Sequence, residues 1–296
     1  MPLLGEFAAL LTAFLWSGSS LVFAAATARV GSMPVNVTRL FLAAGYLLVV
    51  VVVFGIESYL STAQLMNLVL SGVVGLALGD SFLFRAYQEM GARITMLVMS
   101  LSPAIAGILG YFTLGEGISS QGILGMLVTI AGIGIVVLQR SSQESAASRP
   151  TVRGVAYAIA GATGQAVNLL FVKAAFNEGP INGFLATLIR IVASIAVLVP
   201  VMVVARRWVN PLRVFAGNRK ALAYTVAGSV LGPFLGIVAS LIAVANTSVA
   251  VASTLMATVP IVMLPMLRFI YREHLSSRAI AGAVVACAGV ALLFLR

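Results

Sequence analysis

Long apolar runs constrain this chain more than any other feature. Ten are separable, near residues 7–26, 34–55, 65–85, 93–113, 119–138, 153–174, 183–205, 221–243, 248–268 and 277–295. The apolar residues do not alternate with polar ones, as on a half-buried strand, but continue with few charges. A helix rising ~1.5 Å per residue crosses a ~30 Å hydrocarbon layer in about 20 residues, whereas a barrel strand needs only ~10 alternating ones. Within lipid every backbone N–H and C=O must be satisfied internally, and a helix does this by itself. The expected fold is therefore an all-α membrane protein with ten transmembrane helices. Composition agrees, with 61% hydrophobic and 9% charged residues against about 45–50% and ~25% in soluble domains.

The formal net charge is +10. The basic residues are scattered through short connections between runs, so membrane topology accounts for them and no nucleic-acid partner is expected. Cys287, the only cysteine, lies within the last run, which leaves no disulfide and no thiolate metal site to build. The first run has no basic segment before it and no small-residue cleavage site after it, so it is expected to be retained.

The chain reads as two copies of one unit. Its markedly polar segment, QRSSQESAASRPTVR at 139–153, follows run 5, so residues 139–152 form a linker between halves 1–138 and 153–296. Aligned at an offset of 157, residues 115–138 and 272–295 share nine of 24 positions, among them Glu116/Glu273, Ser119/Ser276, Gly125/Gly282 and Gly132/Gly289. The same offset sets Ser71, Gly75 and Gly79 against Gly228, Gly232 and Gly236, and Pro103 against Pro260. Such rows of small residues let helix backbones approach closely. Five crossings per unit bring the second copy in from the opposite face, so the repeats are expected to be inverted. Charge supports this. Basic residues follow runs 1, 3 and 5 in the first half (Arg29, Arg85, Arg93, Arg140, Arg149, Arg153). In the second half they follow runs 7 and 9, the equivalents of runs 2 and 4 (Arg206, Arg207, Arg213, Arg219, Lys220, Arg268, Arg272, Arg278).

Two five-helix repeats, each closing with a Glu-x-x-Ser turn (Glu116 to Ser119, Glu273 to Ser276) and an Ala-Gly-bearing last helix (Ala131-Gly132, Ala288-Gly289), resemble the EamA-type transporters of the drug/metabolite transporter superfamily. The resemblance covers essentially the whole chain. It implies a ten-helix secondary transporter, expected to export small metabolites such as amino acids across the cell (inner) membrane, with no ATP-binding domain and no cofactor. It leaves room for proton coupling and for a homodimer. It carries no single substrate-binding motif, so no binding residue transfers by name. A multidrug or other organic-solute efflux carrier is the second reading, and a non-transporting scaffold the third.

Inverted-repeat transporters bind substrate near the midplane, between the repeats. At an offset of 148, Ser17 and Ser20 of run 1 align with Gln165 and Asn168 of run 6. Each pair is spaced i, i+3 and shares a helix face. These four residues are candidate cavity linings. Hydrogen-bond glue between helices is the plainer role, and a serine can instead bond its own helix's carbonyls. Trp16 is either a stacking wall or ordinary packing. Arg39 and Arg190 occupy matching places in runs 2 and 7, where pathway residues and side chains snorkelling to headgroups read alike. Glu116 and Glu273 are expected to lie at helix starts, with Ser119 and Ser276 as caps, and Pro103 and Pro260 to kink runs 4 and 9. Asp80 is the chain's single aspartate and lies at membrane depth, where a carboxylate faces a cavity or a partner. Arg85, five residues on, is better placed for Glu89. Arg39 matches Asp80 in depth, so a cross-helix pair between them is expected, serving either as a substrate or proton site or as a structural tie.

Enzyme chemistry finds little support. GDSF at 79–82 is similar to the Gly-Asp-Ser opening of some esterases, but the only histidine, His274, has Tyr271 where that chemistry needs an aspartate. An aspartyl dyad needs two carboxylates, and neither a metal cluster nor a phosphate loop appears. Orientation is a separate question on which charge and resemblance disagree. The positive-inside rule puts the basic loops in the cytoplasm and both termini outside, while the resemblance implies cytoplasmic termini. By the charge asymmetry, a C-terminal reporter active only in the cytoplasm should be silent, and strong signal from it overturns that orientation.

Overall fold

The computed structural model describes residues 3–57, 59–114, 120–137, 150–206, 208, 210–246, 252, 255–270 and 276–294. Among these residues every regular element is helical. Helices α1 (Leu4–Val30) and α2 (Ser32–Val53) come first. Helix α3 (Thr62–Ser71) then passes through a π-helical stretch, Gly72–Gly79, into α4 (Asp80–Met99). Next come α5 (Ser102–Leu114), α6 (Ser120–Val137), α7 (Val152–Asn177), α8 (Gly183–Val204) and the short α9 (Pro211–Ala216). Helix α10 (Arg219–Ser229) runs through a second π-helical stretch, Val230–Gly236, into α11 (Ile237–Asn246), followed by α12 (Val259–Ile270) and α13 (Ser277–Phe294). Among the described residues six helical segments are long and apolar enough to cross a membrane: Leu4–Val30, Ser32–Val53, Thr62–Met99, Val152–Asn177, Gly183–Val204 and Arg219–Ala243. Ser120–Ile135, Val259–Phe269 and Ser277–Leu292 are shorter apolar helices.

Thr62–Met99 joins the expected runs 3 and 4 into one helical segment, but it is not straight. Gly91 has φ 73° and ψ 176°, a conformation open to a residue without Cβ. The chain folds back there. The Tyr87 hydroxyl lies 3.2 Å from the Met96 sulfur, nine residues later, although a straight helix would set the two residues ~13 Å apart along its axis. The prolines also act differently from the expectation. Pro103 and Pro260 do not kink continuous helices. Each is the second residue of a new helix, α5 or α12, after a two-residue turn at 100–101 or 257–258. The first turn is where a missing N–H costs least. The two turns are equivalent at the offset of 157, so both repeats break this helix at one level. The Arg85–Glu89 pair is replaced as well: the Arg85 guanidinium lies 5.6 Å from the Tyr157 ring centre, and Glu89 accepts from the Thr151 hydroxyl at 3.5 Å. Ser276 caps α13 as expected, accepting from the Ala279 N–H at 3.1 Å. Glu116, Ser119 and Glu273 lie outside the described residues.

Hydrogen bonds at one end of the molecule show the inversion. The Ser32 N–H, just past the end of α1, donates to Gln88 at 3.2 Å. Thr151, just before α7, reaches the neighbouring Glu89. Helix α1 thus ends, and its equivalent α7 begins, at the same end. Close packing repeats with the same symmetry. A Cβ on Gly79 would meet Gly164, and one on Gly236 would meet the Trp16 ring; at offsets of 157 and 148 these contacts are equivalents. Helix α6 packs along α13 in a seam of backbone contacts. A Cβ on Gly132 would overlap the Ala286 backbone, and one on Gly289 would overlap Thr129. Residues 132/289 and 129/286 are again related by 157, so the seam follows the pseudo-twofold axis.

The seam generates a stability prediction. Gly132→Val or Gly289→Val forces these backbones apart and should cost roughly 1–3 kcal/mol, the range for overpacked contacts, seen as a lower melting temperature of the detergent-purified protein. Gly134→Ala on the same helix is the control, because its Cβ position has nothing within 4 Å. An equal loss in Gly134→Ala would remove the seam's special role.

Candidate functional site: a cavity between the repeats

A cavity of about 260 Å³ lies where the two repeats meet, lined by residues of α1, α2, α4, α5, α7, α8, α11 and α12 and of both π-helical stretches. The π-helical stretches are equivalent in the two repeats and contribute Leu76, Gly232 and Pro233 to the wall. Wider helical turns of this kind concentrate at functional sites. Both broken helices open onto the same space, through Ser100, Ser102 and Pro103 in one repeat and Ala257, Val259 and Pro260 in the other.

The expected Asp80–Arg39 pair is present. Arg39 Nη2 donates to Asp80 Oδ2 at 2.5 Å, and both side chains are almost fully buried. The pair is one end of a longer chain of hydrogen bonds. Gln165 Nε2 donates to Asp80 Oδ1 at 2.9 Å. Asn168 Nδ2 donates to Gln165 Oε1 at 3.1 Å. Arg190 Nη2 donates to Asn168 Oδ1 at 2.9 Å. Arg39 Nε donates to Asn36 Oδ1 at 3.0 Å, and Asn36 donates to the Ser81 hydroxyl at 3.2 Å. Five residues singled out from sequence thus form one line that crosses from the first repeat to the second. Local geometry produces it: Gln165 and Asn168 stand one turn apart on α7, and Gly75 and Gly79 let that face approach the segment carrying Asp80. Neither arginine snorkels. Each is 4% exposed, turned inward at the cavity wall.

Trp16 and Ser20 also line the cavity. Ser20 donates to the Trp16 carbonyl at 2.6 Å and accepts from the Tyr87 hydroxyl at 3.0 Å. Ser17 is the exception among the sequence candidates. It is fully buried, its hydroxyl donates to the Ala13 carbonyl at 2.7 Å, and the Val259 carbonyl lies 3.2 Å away. It ties α1 to α12 and is not part of the cavity wall. Conversely, Ser19, Phe84 and Tyr87 line the cavity without having been singled out. Phe84 and Tyr87 stand four and seven residues after Asp80, the spacing of one helix face, which is the signal that finds them. The Arg39 guanidinium lies 4.7 Å from the Phe84 ring centre, so the ring's negative face adds to the carboxylate in holding the buried cation. Among the described residues no cluster of His, Cys, Asp and Glu could hold a metal ion.

Comparison with known proteins fits this architecture. A solved structure described only as the crystal structure of a protein superposes with a TM-score of 0.70 at 17% identity, over 98% of this chain and 96% of that one. At that identity the likeness speaks for the fold. No curated protein matches the sequence. The model of the EamA-like transporter family matches twice, over residues 3–138 and 152–295. The two matches together span nearly all of both repeats, and the chain therefore belongs to the EamA-like transporter family.

Proposed function

We propose that the chain is a secondary exporter of small metabolites, amino acids or related compounds, in the cytoplasmic membrane, built of ten crossings in two inverted five-helix repeats. The observation that carries this reading is the cavity between the repeats, bridged by the line Arg39–Asp80–Gln165–Asn168–Arg190. Polar and charged groups at membrane depth are costly, and these join the two repeats at the place where an inverted-repeat carrier holds its solute. The aromatic and methionine surfaces of Trp16, Phe84, Met96 and Met256 also suit a carrier of varied organic solutes. Size favours the metabolite: about 260 Å³ falls below the ~300–1,000 Å³ of pockets for drug-sized ligands. Asp80 is the candidate proton carrier for coupling, since it is the only carboxylate on the wall among the described residues. Flux of radiolabelled amino acids into proteoliposomes tests the reading. Growth of an overexpressing strain against toxic amino-acid analogues and drugs separates the two substrate classes.

Two sets of substitutions follow. Gln165→Ala and Asn168→Ala should lower transport about ten-fold or more while expression stays near wild type; melting should fall by the equivalent of ~1–3 kcal/mol, because each leaves a buried charged group short of a partner. Wild-type rate and affinity in both would remove them from the pathway. Asp80→Asn should cost roughly 3–5 kcal/mol of stability, because it strands the buried Arg39 charge. Asp80→Asn combined with Arg39→Gln leaves no lone charge, so melting should recover while uptake driven by an imposed proton gradient stays lost. A double variant that transports with the wild-type pH profile would make the pair a structural anchor only.

A further inference from the structure

The two arginines of the cavity occupy equivalent places but have different partners. In the first repeat Arg39 is fully provided for: Nε donates to Asn36 and Nη2 to Asp80. At the offset of 151 that relates Arg39 to Arg190, the counterpart of Asn36 is Thr187, whose hydroxyl is turned back to the Gly183 carbonyl at 2.7 Å. At the offset of 157 the counterpart of Asp80 is Ile237, an apolar residue on the cavity wall. Two differences between the repeats thus remove both partners that Arg39 enjoys. Arg190 retains one neutral acceptor, Asn168, and its Nε–H is buried without a partner. Asp80 cannot serve both cations, since one oxygen is held by Arg39 and the other by Gln165. Among the described residues the charged ones on the cavity wall are Arg39, Asp80 and Arg190, a formal excess of one positive charge. Helix α8 packs closely on the first π-helical stretch beneath this side chain: the Ser194 hydroxyl lies 2.7 Å from the Arg190 carbonyl and 2.8 Å from the Gly72 carbonyl, and a Cβ on Gly72 would overlap the Arg190 backbone.

A buried, uncompensated guanidinium is expensive, and a planar carboxylate offers the matching geometry. We propose that the transported solute carries a carboxylate that binds Arg190 and completes in the second repeat the ion pair that Asp80 makes in the first. This rests on the transporter reading and narrows it to carboxylate-bearing solutes, with the rest of the solute lying toward Trp16 and the methionine-lined wall. Arg190 is then a binding residue, and Ile237 is the position that keeps the site vacant for the solute's own charge.

The test uses matched probes and the purified full chain. Trp208→Phe leaves Trp16, on the cavity wall, as the remaining tryptophan. Binding of the proteinogenic amino acids and short organic acids is titrated by Trp16 fluorescence, each acid against its own carboxamide, and the same compounds are assayed for flux in proteoliposomes. The acids should bind about ten- to hundred-fold more tightly than their amides, the range of a charge-assisted hydrogen bond. Arg190→Gln should abolish that difference, and Arg190→Lys should retain part of it. Ile237→Asp should bring a built-in carboxylate to Arg190 and reduce acid affinity by a similar factor while melting shows the protein folded. Equal binding of acids and amides by the wild type overturns the proposal even if no variant folds. So does a wild type that binds no acid, or an Arg190→Gln protein that keeps its preference. Acid-selective binding without flux would leave the site standing and sink the transporter reading. Flux of solutes without carboxylates, indifferent to Arg190→Gln, would do the reverse.

Discussion

A carboxyl group buried inside a membrane protein needs partners for its oxygens, and the structure is organised around meeting that need at Asp80. Asp80 has both oxygens engaged, one by Arg39 and one by Gln165. Each bond fixes a helix. The Arg39 bond sets the rotation and depth of α2 against α4, and the Gln165 bond draws α7 of the second repeat onto the first. The pair also selects one register of α2 against α4, because any slip would leave two buried charges without their partners.

That arrangement is available only because backbones come close. Gly75 faces the side chain of Asn168, and Gly79 faces Gly164. A methyl on Gly75 would overlap the Asn168 side chain, and one on Gly164 would overlap the Gly79 backbone, so either would push α7 outward and stretch the bonds to Asp80. Polar chemistry and small-residue packing are therefore one design at this junction. Trp16 occupies the mirrored position: its ring lies against Gly236 where the Gly164 backbone lies against Gly79. The cavity is thus symmetric in backbone and asymmetric in side chains.

Much of this is legible in the sequence, for identifiable reasons. Apolar runs are long because lipid demands it, so the helical class can be read directly. The repeat is visible because close backbone contact tolerates only small residues, which keeps Gly132/Gly289 alike in both halves. Asp80–Arg39 is legible because a lone buried carboxylate needs a cation at its own depth. Ser17 misleads because spacing alone cannot tell whether a hydroxyl turns to a cavity or back to its own helix, as it does toward Ala13. The fold-back at Gly91 falls in the polar gap between runs 3 and 4, so its place is legible; that helix continues up to and away from that single glycine is not, because hydropathy marks the gap and says nothing of its backbone. Pro103 and Pro260 mark the right places, but whether a helix bends or restarts there depends on the backbone of the preceding turn. The partnerless Nε of Arg190 emerges only on comparing its neighbours with those of Arg39.

The seam between α6 and α13 has a mechanical consequence. Its contacts, Gly132 with Ala286 and Gly289 with Thr129, map onto each other when the two halves change places. An axle has this property: whatever tilts about it, its own bearing surfaces stay in register. Any motion in which one half takes up the shape of the other and the other takes up the first leaves this seam with the same contacts before and after, so it contributes nothing to the energy difference between the two end states. The cost of such a motion falls on the cavity side, where the halves are chemically unlike, and what occupies the cavity decides which end state is lower.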